Sequence, residues 1–544
     1  MTDIQDHHAQ GGTDAVRPAP VTTHVPIDWV VFGVAAALSV AFVVVGAVWP
    51  DQVAEGSGDA LAWVTGNLGW LFVLSSAGFV AFSAYLAFGK YGNIKLGPDD
   101  SKPEFSTFSW VSMMFATGMG IGLMFWGVAE PLTHLNAAPM GEAEPGSAAA
   151  AELAVQYSFF HWGLHPWAMY AVIGLTIGYF AYRKGYGNSI SATFRPLLGR
   201  RASAGPGKAI DILAIIATLF GSATSLGLGA LQITGGLDDL FGSGGDSKVL
   251  AVVVIAVLAA CFVLSAVSGV HRGVKYLSNA NAVAAALLAF FLFVVGPSVF
   301  ILGTFTDGMG SYLTQLPHMS FTTGVYDSKA GAWLNGWTIF YWAWWISWTP
   351  FVGMFIARIS KGRTIRQFVT YVILIPSLVS FVWFAILGGA AINLQLNEGW
   401  DPPRTEAGGI ALEASLFETL REFPLSGITV ALAVFLVAIF FVTGADAASI
   451  VMAMLSRRGA EETRRPLVVF WGVTTGAVAA VLLWAGGLSA LQTLVILVAG
   501  PFMLVLIGMC VSLVKALRAE TFESTLPSRV RGAVQHAERF NDGP

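Results

Sequence analysis

Charge is what this sequence has least of. Only 11% of its 544 residues are Asp, Glu, Lys or Arg, while 55% are hydrophobic. A water-soluble globular chain of this length carries far more charge on its surface. The composition therefore excludes that class and indicates a polytopic membrane protein. Cysteine is almost missing. The two present, Cys261 and Cys510, lie in apolar runs with no metal-ligand spacing and read as small buried apolar residues. HExxH, a metal-spaced His/Cys cluster and a Walker A loop are all absent, so neither a membrane enzyme nor a nucleotide-driven pump is indicated. A repeated filter motif, which a channel would need, is missing too, and nothing suggests nucleic acid as a partner. Residues 1–26 hold no apolar core ahead of the first long run. No cleaved signal peptide is expected there. They read as a disordered cytoplasmic tail in which His7 and His8 are a solvated pair.

What the chain does have is apolar length. Twelve runs reach the ~20 residues a membrane helix needs: 27–50, 60–89, 107–129, 151–182, 209–232, 248–269, 276–303, 334–357, 366–393, 424–455, 465–486 and 487–514. They are too long and continuous for barrel strands, so the expected fold is all-α. The chain divides into the tail 1–26, two peripheral helices and a loop over 27–106, a ten-helix core over 107–514 and a cytoplasmic tail over 515–544. With both termini inside, 25 of the 29 Lys and Arg residues fall in cytoplasmic segments. That asymmetry is the positive-inside pattern.

The third run contains ATGMGIGLMFWG, with Gly118, Gly120 and Gly122 at alternate positions. Each glycine costs a helix about 1 kcal/mol against alanine. One reading is close helix packing, which small residues permit. The other is a helix that unwinds at mid-membrane, where freed N–H groups face a bound anion. The second reading predicts a matching interruption elsewhere. FYWAWWISWTPFVG, with Pro350, stands five runs later. Runs 3–7 and 8–12 would then form two five-helix halves of opposite orientation.

Tryptophan clusters in two of these runs. Trp344, Trp345 and Trp348 lie in the eighth, and Trp162, Trp167 and Tyr170 in the fourth. An interfacial belt accounts for Trp29, Trp63 and Trp333 near run ends. It accounts less well for rings well inside a run. The alternative is an aromatic cage for a quaternary ammonium, where each ring face contributes ~0.5–2 kcal/mol without a buried counter-charge. A cage plus an unwound glycine stretch suits a small zwitterion such as glycine betaine.

GMGIG, the Trp-x4-Trp-x2-Tyr spacing and WAWWISWTPFVGMFIARISKGRTIR together resemble the betaine–carnitine–choline transporter family, over about residues 27–515. The resemblance implies a LeuT-type inverted repeat behind two extra helices, a homotrimer in a bacterial-type cell membrane, and alternating access often driven by Na+. By that resemblance Trp162, Trp167, Tyr170 and Trp345 form the aromatic box, and Trp348 and Phe340 the central cation site. Gly118, Met119, Gly120 and Gly122 face the substrate carboxylate, and Ser225 joins the substrate set. One sodium site would use Ala116, Met119, Phe440, Thr443 and position 444. A second would use Thr218, Ser222 and Phe351. No other cofactor is implied.

Two features depart from the family pattern. Position 444 is glycine where the sodium-coupled pattern has a hydroxyl, so proton coupling or exchange stands as the alternative to Na+. The C-terminal tail interleaves acidic with basic residues, so osmotic activation is not legible. Glu130 reads either as an outer gate or as a loop cap beside Pro131. His161 and His165 read as packing residues or proton relays, and Asp446 as paired with an arginine or a backbone donor rather than with sodium. Asp211 reads as favouring a helix N-terminus. The loop 393–423 reads as cover or mobile gate.

Overall fold

The computed structural model describes residues 25–118, 120–242, 248–268, 271–460 and 462–525. His7 and His8, most of the N-terminal tail, Met119 and residues 526–544 lie outside them. The described chain is a succession of helices: α1 (Trp29–Val48), α2 (Pro50–Phe88), α3 (Thr107–Gly118), α4 (Ile121–Asn136), α5 (Ala148–Trp162), α6 (Leu164–Gly178), α7 (Arg195–Leu198), α8 (Gly205–Phe241) and α9 (Lys248–Ser268). Then come α10 (His271–Val295), α11 (Ser298–Phe321), α12 (Ser328–Leu334), α13 (Phe340–Ile359), α14 (Ile365–Asn397), α15 (Ser415–Arg421), α16 (Ser426–Leu455) and α17 (Arg465–Thr525). Extended pairing among the described residues is confined to isolated bridges, Lys95 with Thr364 and Arg404 with Ile410. The fold is all-α, as hydrocarbon requires of segments whose backbone must bond internally.

Among the described residues, seven helices are long and apolar enough to cross a bilayer, or eight if α10 and α11, bent by 110°, count as one. The twelve expected spans are therefore not twelve separate long helices. The third falls on α3 and α4, and the fourth on α5 and α6, which part at Gly163. The eleventh and twelfth join in α17, which turns at Gly487 with φ 62°. Helix α11 was not expected. Its mixed sequence, SVFILGTFTDGMGSYLTQLPHMSF, never gives a continuous apolar run.

The expected break at Pro350 is not there. α13 runs through it. Proline takes away the N–H that would bond the carbonyl four residues back. Here the Thr349 hydroxyl donates to that carbonyl, Ile346 O, at 2.6 Å. Hydroxyls rescue membrane prolines in this way. The irregularity of this span lies earlier, in a π-helical stretch over Asn335–Ile339.

α13 is buried along nearly its whole length, against α6, α8 and α17. Lipid gives helices no hydrophobic reason to associate, so close backbone approach matters. Gly174 and Gly353 meet where α6 crosses α13. A Cβ on Gly174 would stand 3.3 Å from Gly353 O.

Segments assigned to one membrane face meet each other. Leu96 N–H bonds Arg363 O at 2.8 Å, and Arg183 reaches Asp99 and Glu520. Lys208 and Arg458 converge on Asp28, which caps α1 by accepting from Val30 N and Val31 N. At the opposite end Arg404 binds Asn136 at 3.0 Å, and Arg421 binds Asp239. The loop 393–423 contributes α15, whose Leu416, Phe417 and Leu420 are buried as cover.

Two smaller expectations change. Asp211 sits inside α8 and binds Ser191 Oγ at 2.7 Å rather than its own helix start. Cys261 is exposed on α9. Trp333 packs on Tyr157 and His134, at 4.9 and 5.3 Å between centroids.

Thr349 is fully buried. Thr349→Val keeps its shape but leaves the Ile346 carbonyl unpaired, so the detergent-solubilised protein should lose about 1–3 kcal/mol. Thr349→Ser should keep stability. Equal thermal unfolding of the two variants would show that the hydroxyl does not replace the lost donor.

Candidate functional site

The glycine stretch is where the third span parts. α3 ends at Gly118, Gly120 is extended (φ −155°, ψ −150°) and α4 starts at Ile121. Gly118 and Ala116 are helical, and Met119 lies outside the described residues. Gly122 is helical as well, so the unwound part is shorter than the sequence suggested. Its bare Cα serves another purpose. A Cβ there would stand 2.8 Å from Trp162 Cη2 and 3.0 Å from Trp344 Cη2. The first turn of α4 therefore abuts two indoles. N–H groups of a first turn have no partner inside their own helix and present a positive dipole end.

The expected aromatic residues come together around this point. Trp162 closes α5 just before Gly163, where a Cβ would strike Phe381 at 2.8 Å. The turn at Gly163 presents Trp162 edge-on to Trp345, 4.8 Å between centroids. Tyr170 meets Trp345 at 6.4 Å and Trp167 at 5.4 Å. Trp344 stacks on Trp345 at 4.8 Å and on Phe340 at 5.7 Å. Trp348 continues the row, 6.2 Å from Trp344 and 5.7 Å from Phe351. On α8, Ser225 Oγ accepts from Trp344 Nε1 at 3.3 Å. Tyr170 OH and Trp348 Nε1 are buried and have no hydrogen-bond partner among the described residues. Buried donors normally do.

A buried acid stands directly behind these rings. Glu130 is not a loop cap. α4 continues through Pro131 to Asn136, and the carboxylate is fully buried. Its Oε2 accepts from Trp162 Nε1 at 2.9 Å and from Tyr341 OH at 2.5 Å. Its Oε1 faces His161 Nδ1 at 2.6 Å and His134 Nε2 at 3.4 Å. The His161 ring also meets Thr338 Oγ1 at 3.0 Å, while its carbonyl accepts from Trp345 Nε1 at 3.0 Å. Ending the third run at residue 129 hid this. Extended by one helical turn, the run would have held an intramembrane acid, which is a functional signal by default. His165 packs instead, stacked on Trp342 at 5.0 Å and bonded to Ser320 at 3.1 Å. Asp446 is buried in α16.

The expected sodium residues fall on different helices. Thr218 and Ser222 lie on α8, whose Gly221 approaches Trp348 Cδ1 so closely that a Cβ would be 3.1 Å away. Ser222 Oγ is buried without a partner among the described residues. Thr218 and Thr443 donate to their own helix carbonyls, Ala214 O at 2.8 Å and Ile439 O at 2.9 Å. That leaves their oxygen lone pairs free for a cation. Phe440 and Thr443, of the other expected sodium site, lie on α16. With Gly120, Met124, Phe290, Phe305 and Trp383, Phe440 lines an apolar cavity of about 450 Å³. Beyond Gly444 there is open space.

Residues 30–522 match the model of the betaine/carnitine/choline family transporters. The chain belongs to that family. It is 45% identical to the glycine betaine transporter OpuD of Bacillus subtilis over 494 residues, 91% of this chain and 95% of that protein. It is 40% identical to the betaine/ectoine transporter LcoP of Corynebacterium glutamicum, covering 94% and 83%. Glycine betaine transporter 1 of Vibrio parahaemolyticus is also 40% identical, covering 94% and 96%. As a member of the betaine/carnitine/choline family the chain is a multi-pass membrane transporter, not an enzyme.

In Gly122→Ala the added methyl meets two buried indoles that cannot both retreat. Such overpacking costs about 1–3 kcal/mol. Because the strain falls on Trp162 and Trp344 themselves, substrate affinity should drop by about tenfold or more. Tryptophan-fluorescence titration of the folded variant checks this, and unchanged affinity would separate Gly122 from the site.

Proposed function

We propose that this transporter takes up a small zwitterionic osmolyte bearing a quaternary ammonium, glycine betaine, by secondary active transport with alternating access and with Na+ as co-transported cargo. The observation that carries the reading is the meeting of α4's first turn with the indoles of Trp162 and Trp344 across Gly122. A helix N-terminus suits a carboxylate. Ring faces suit a cation that cannot donate hydrogen bonds. Trp162, Trp167, Tyr170 and Trp345 would hold the trimethylammonium group, and Trp348 with Phe340 would pass it along the α13 row. Gly118 to Gly122 and Ser225 would serve the carboxylate end. Relatives named for glycine betaine support the substrate class, and LcoP, named for betaine and ectoine, favours ectoine as the second reading.

For Na+ the donor chemistry fits. Sodium prefers hard oxygen ligands, which hydroxyls and unwound carbonyls supply without buried charge. The orphan Ser222 hydroxyl, with Thr218 and the Phe351 region, supports one site. Ala116, Met119, Phe440, Thr443 and Gly444 make up the other, which lacks one side-chain oxygen at 444.

The larger architecture follows the same proposal. It has twelve crossings, two inverted five-helix halves behind two peripheral helices, cytoplasmic termini and a homotrimer in the bacterial plasma membrane. Support comes from the irregular starts of both halves, where α3 ends at Gly118 and α4 begins at Ile121 past an extended Gly120, and from the Asn335–Ile339 stretch.

Radiolabelled glycine betaine uptake into liposomes, with Na+ replaced by K+ at fixed pH, tests the coupling. Accumulation should be lost. Undiminished uptake that follows a pH gradient would establish proton coupling instead. Gly444→Ser restores a hydroxyl where there is room for it, and should lower the Na+ concentration giving half-maximal uptake. Trp348→Leu should weaken trimethylammonium binding by about tenfold or more. Unaltered affinity would remove Trp348 from the path.

A further inference from the structure

We propose that Glu130 is a positioning and specificity-determining residue, setting both the geometry and the electrostatic bias of the aromatic box so that it prefers a cationic head over a neutral one of the same shape. The proposal rests on the substrate reading above.

The geometry is unusual for a box built of neutral rings. One fully buried carboxylate orders two of its walls, Trp162 and Trp345, and the Tyr341 ring packed against them. Trp162 and Tyr341 both donate to Oε2, at 2.9 and 2.5 Å. Trp345 is reached at one remove. Its indole donates to the carbonyl of His161, whose ring contacts Oε1 at 2.6 Å. The three rings also touch one another. Trp345 meets Trp162 edge-on at 4.8 Å and lies nearly parallel to Tyr341 at 5.9 Å. Rotating any of them breaks a bond to this carboxylate or to its histidine.

Holding rings in place does not by itself call for a charge. A glutamine carbonyl accepts hydrogen bonds from an indole and a phenol equally well. What the carboxylate adds is negative potential. An indole N–H or phenol O–H bonded to an anion is polarised toward it, which enriches the ring face a cation would contact. The region is shielded from water, so the bias is little screened. The groups facing the carboxylate are His134 from its own helix, His161 and Trp162 from α5, and Tyr341 from α13, and they keep it from being an isolated buried ion. Neither ring nitrogen of His134 makes a hydrogen bond among the described residues, so its contact with Oε1 is one of proximity alone.

The test uses a matched pair of ligands. Glycine betaine and 3,3-dimethylbutanoate share one shape, with carbon in place of the ammonium nitrogen in the second. The readout is the ratio of their affinities in liposome uptake and competition, which does not depend on the fraction of active protein. Wild type should prefer glycine betaine strongly. In Glu130→Gln the ratio should fall by about tenfold, chiefly through weaker glycine betaine binding, and Glu130→Asp should recover most of it. Tyr341→Phe keeps its ring but loses the link to Oε2, so the ratio should move the same way by about threefold, which covers a glutamine variant that fails to fold. If wild type discriminates but neither Glu130→Gln nor Tyr341→Phe changes the ratio, the proposal is overturned while the substrate reading stands. Parallel weakening of both ligands would leave Glu130 as packing alone and overturn it too. If wild type itself does not discriminate, the substrate reading falls and takes this proposal with it.

Discussion

In hydrocarbon, a backbone group that loses its helical partner must find another inside the protein, and most of this structure follows from where that happens. At Pro350 the Thr349 hydroxyl supplies the partner and α13 continues unbroken. Between Gly118 and Ile121 the helix does part, and the new helix start is set against indole rings rather than lipid. At Gly163 a second parting places Trp162 at a helix end, free to turn edge-on toward Trp345. Breaks are tolerated where protein surrounds them. Here they also bring a helix N-terminus and ring faces to one place.

The same constraint governs the buried acid. Glu130 is tolerable at membrane depth because Trp162, Tyr341, His161 and His134 surround it. Each of those partners gains orientation in return. The cluster of neutral rings thus has an ionisable group directly behind it. Small residues finish the arrangement by removing atoms. Gly122 lets α4 lie against the box, and Gly221 lets α8 lie against Ser347 and Trp348.

Legibility differed sharply between elements. The long apolar runs identified the helical class and most helix locations, and the glycine triplet marked the parting of the third span. The rings at 162, 170 and 345 could be grouped by motif alone. Pro350 misled, because the residue that rescues it precedes it by one position and shows no periodic signature. α11 was missed because an amphipathic helix of 24 residues is not apolar throughout. The sequence leaves Glu130 open between an outer gate and a loop cap, because the apolar run ends at this first charge, although helix and burial both extend beyond it.

Taken alone, the sequence determined that the chain crosses a membrane as helices, where glycine weakens one of them, and which aromatic residues are available. These are properties of composition and of local backbone freedom. It could not determine which break survives or what the acid touches. Those depend on partners far along the chain: Tyr341 for Glu130, and Trp344 for Gly122. Only packing brings them within hydrogen-bond or van der Waals reach, because such short-range interactions arise only after folding has placed distant segments side by side.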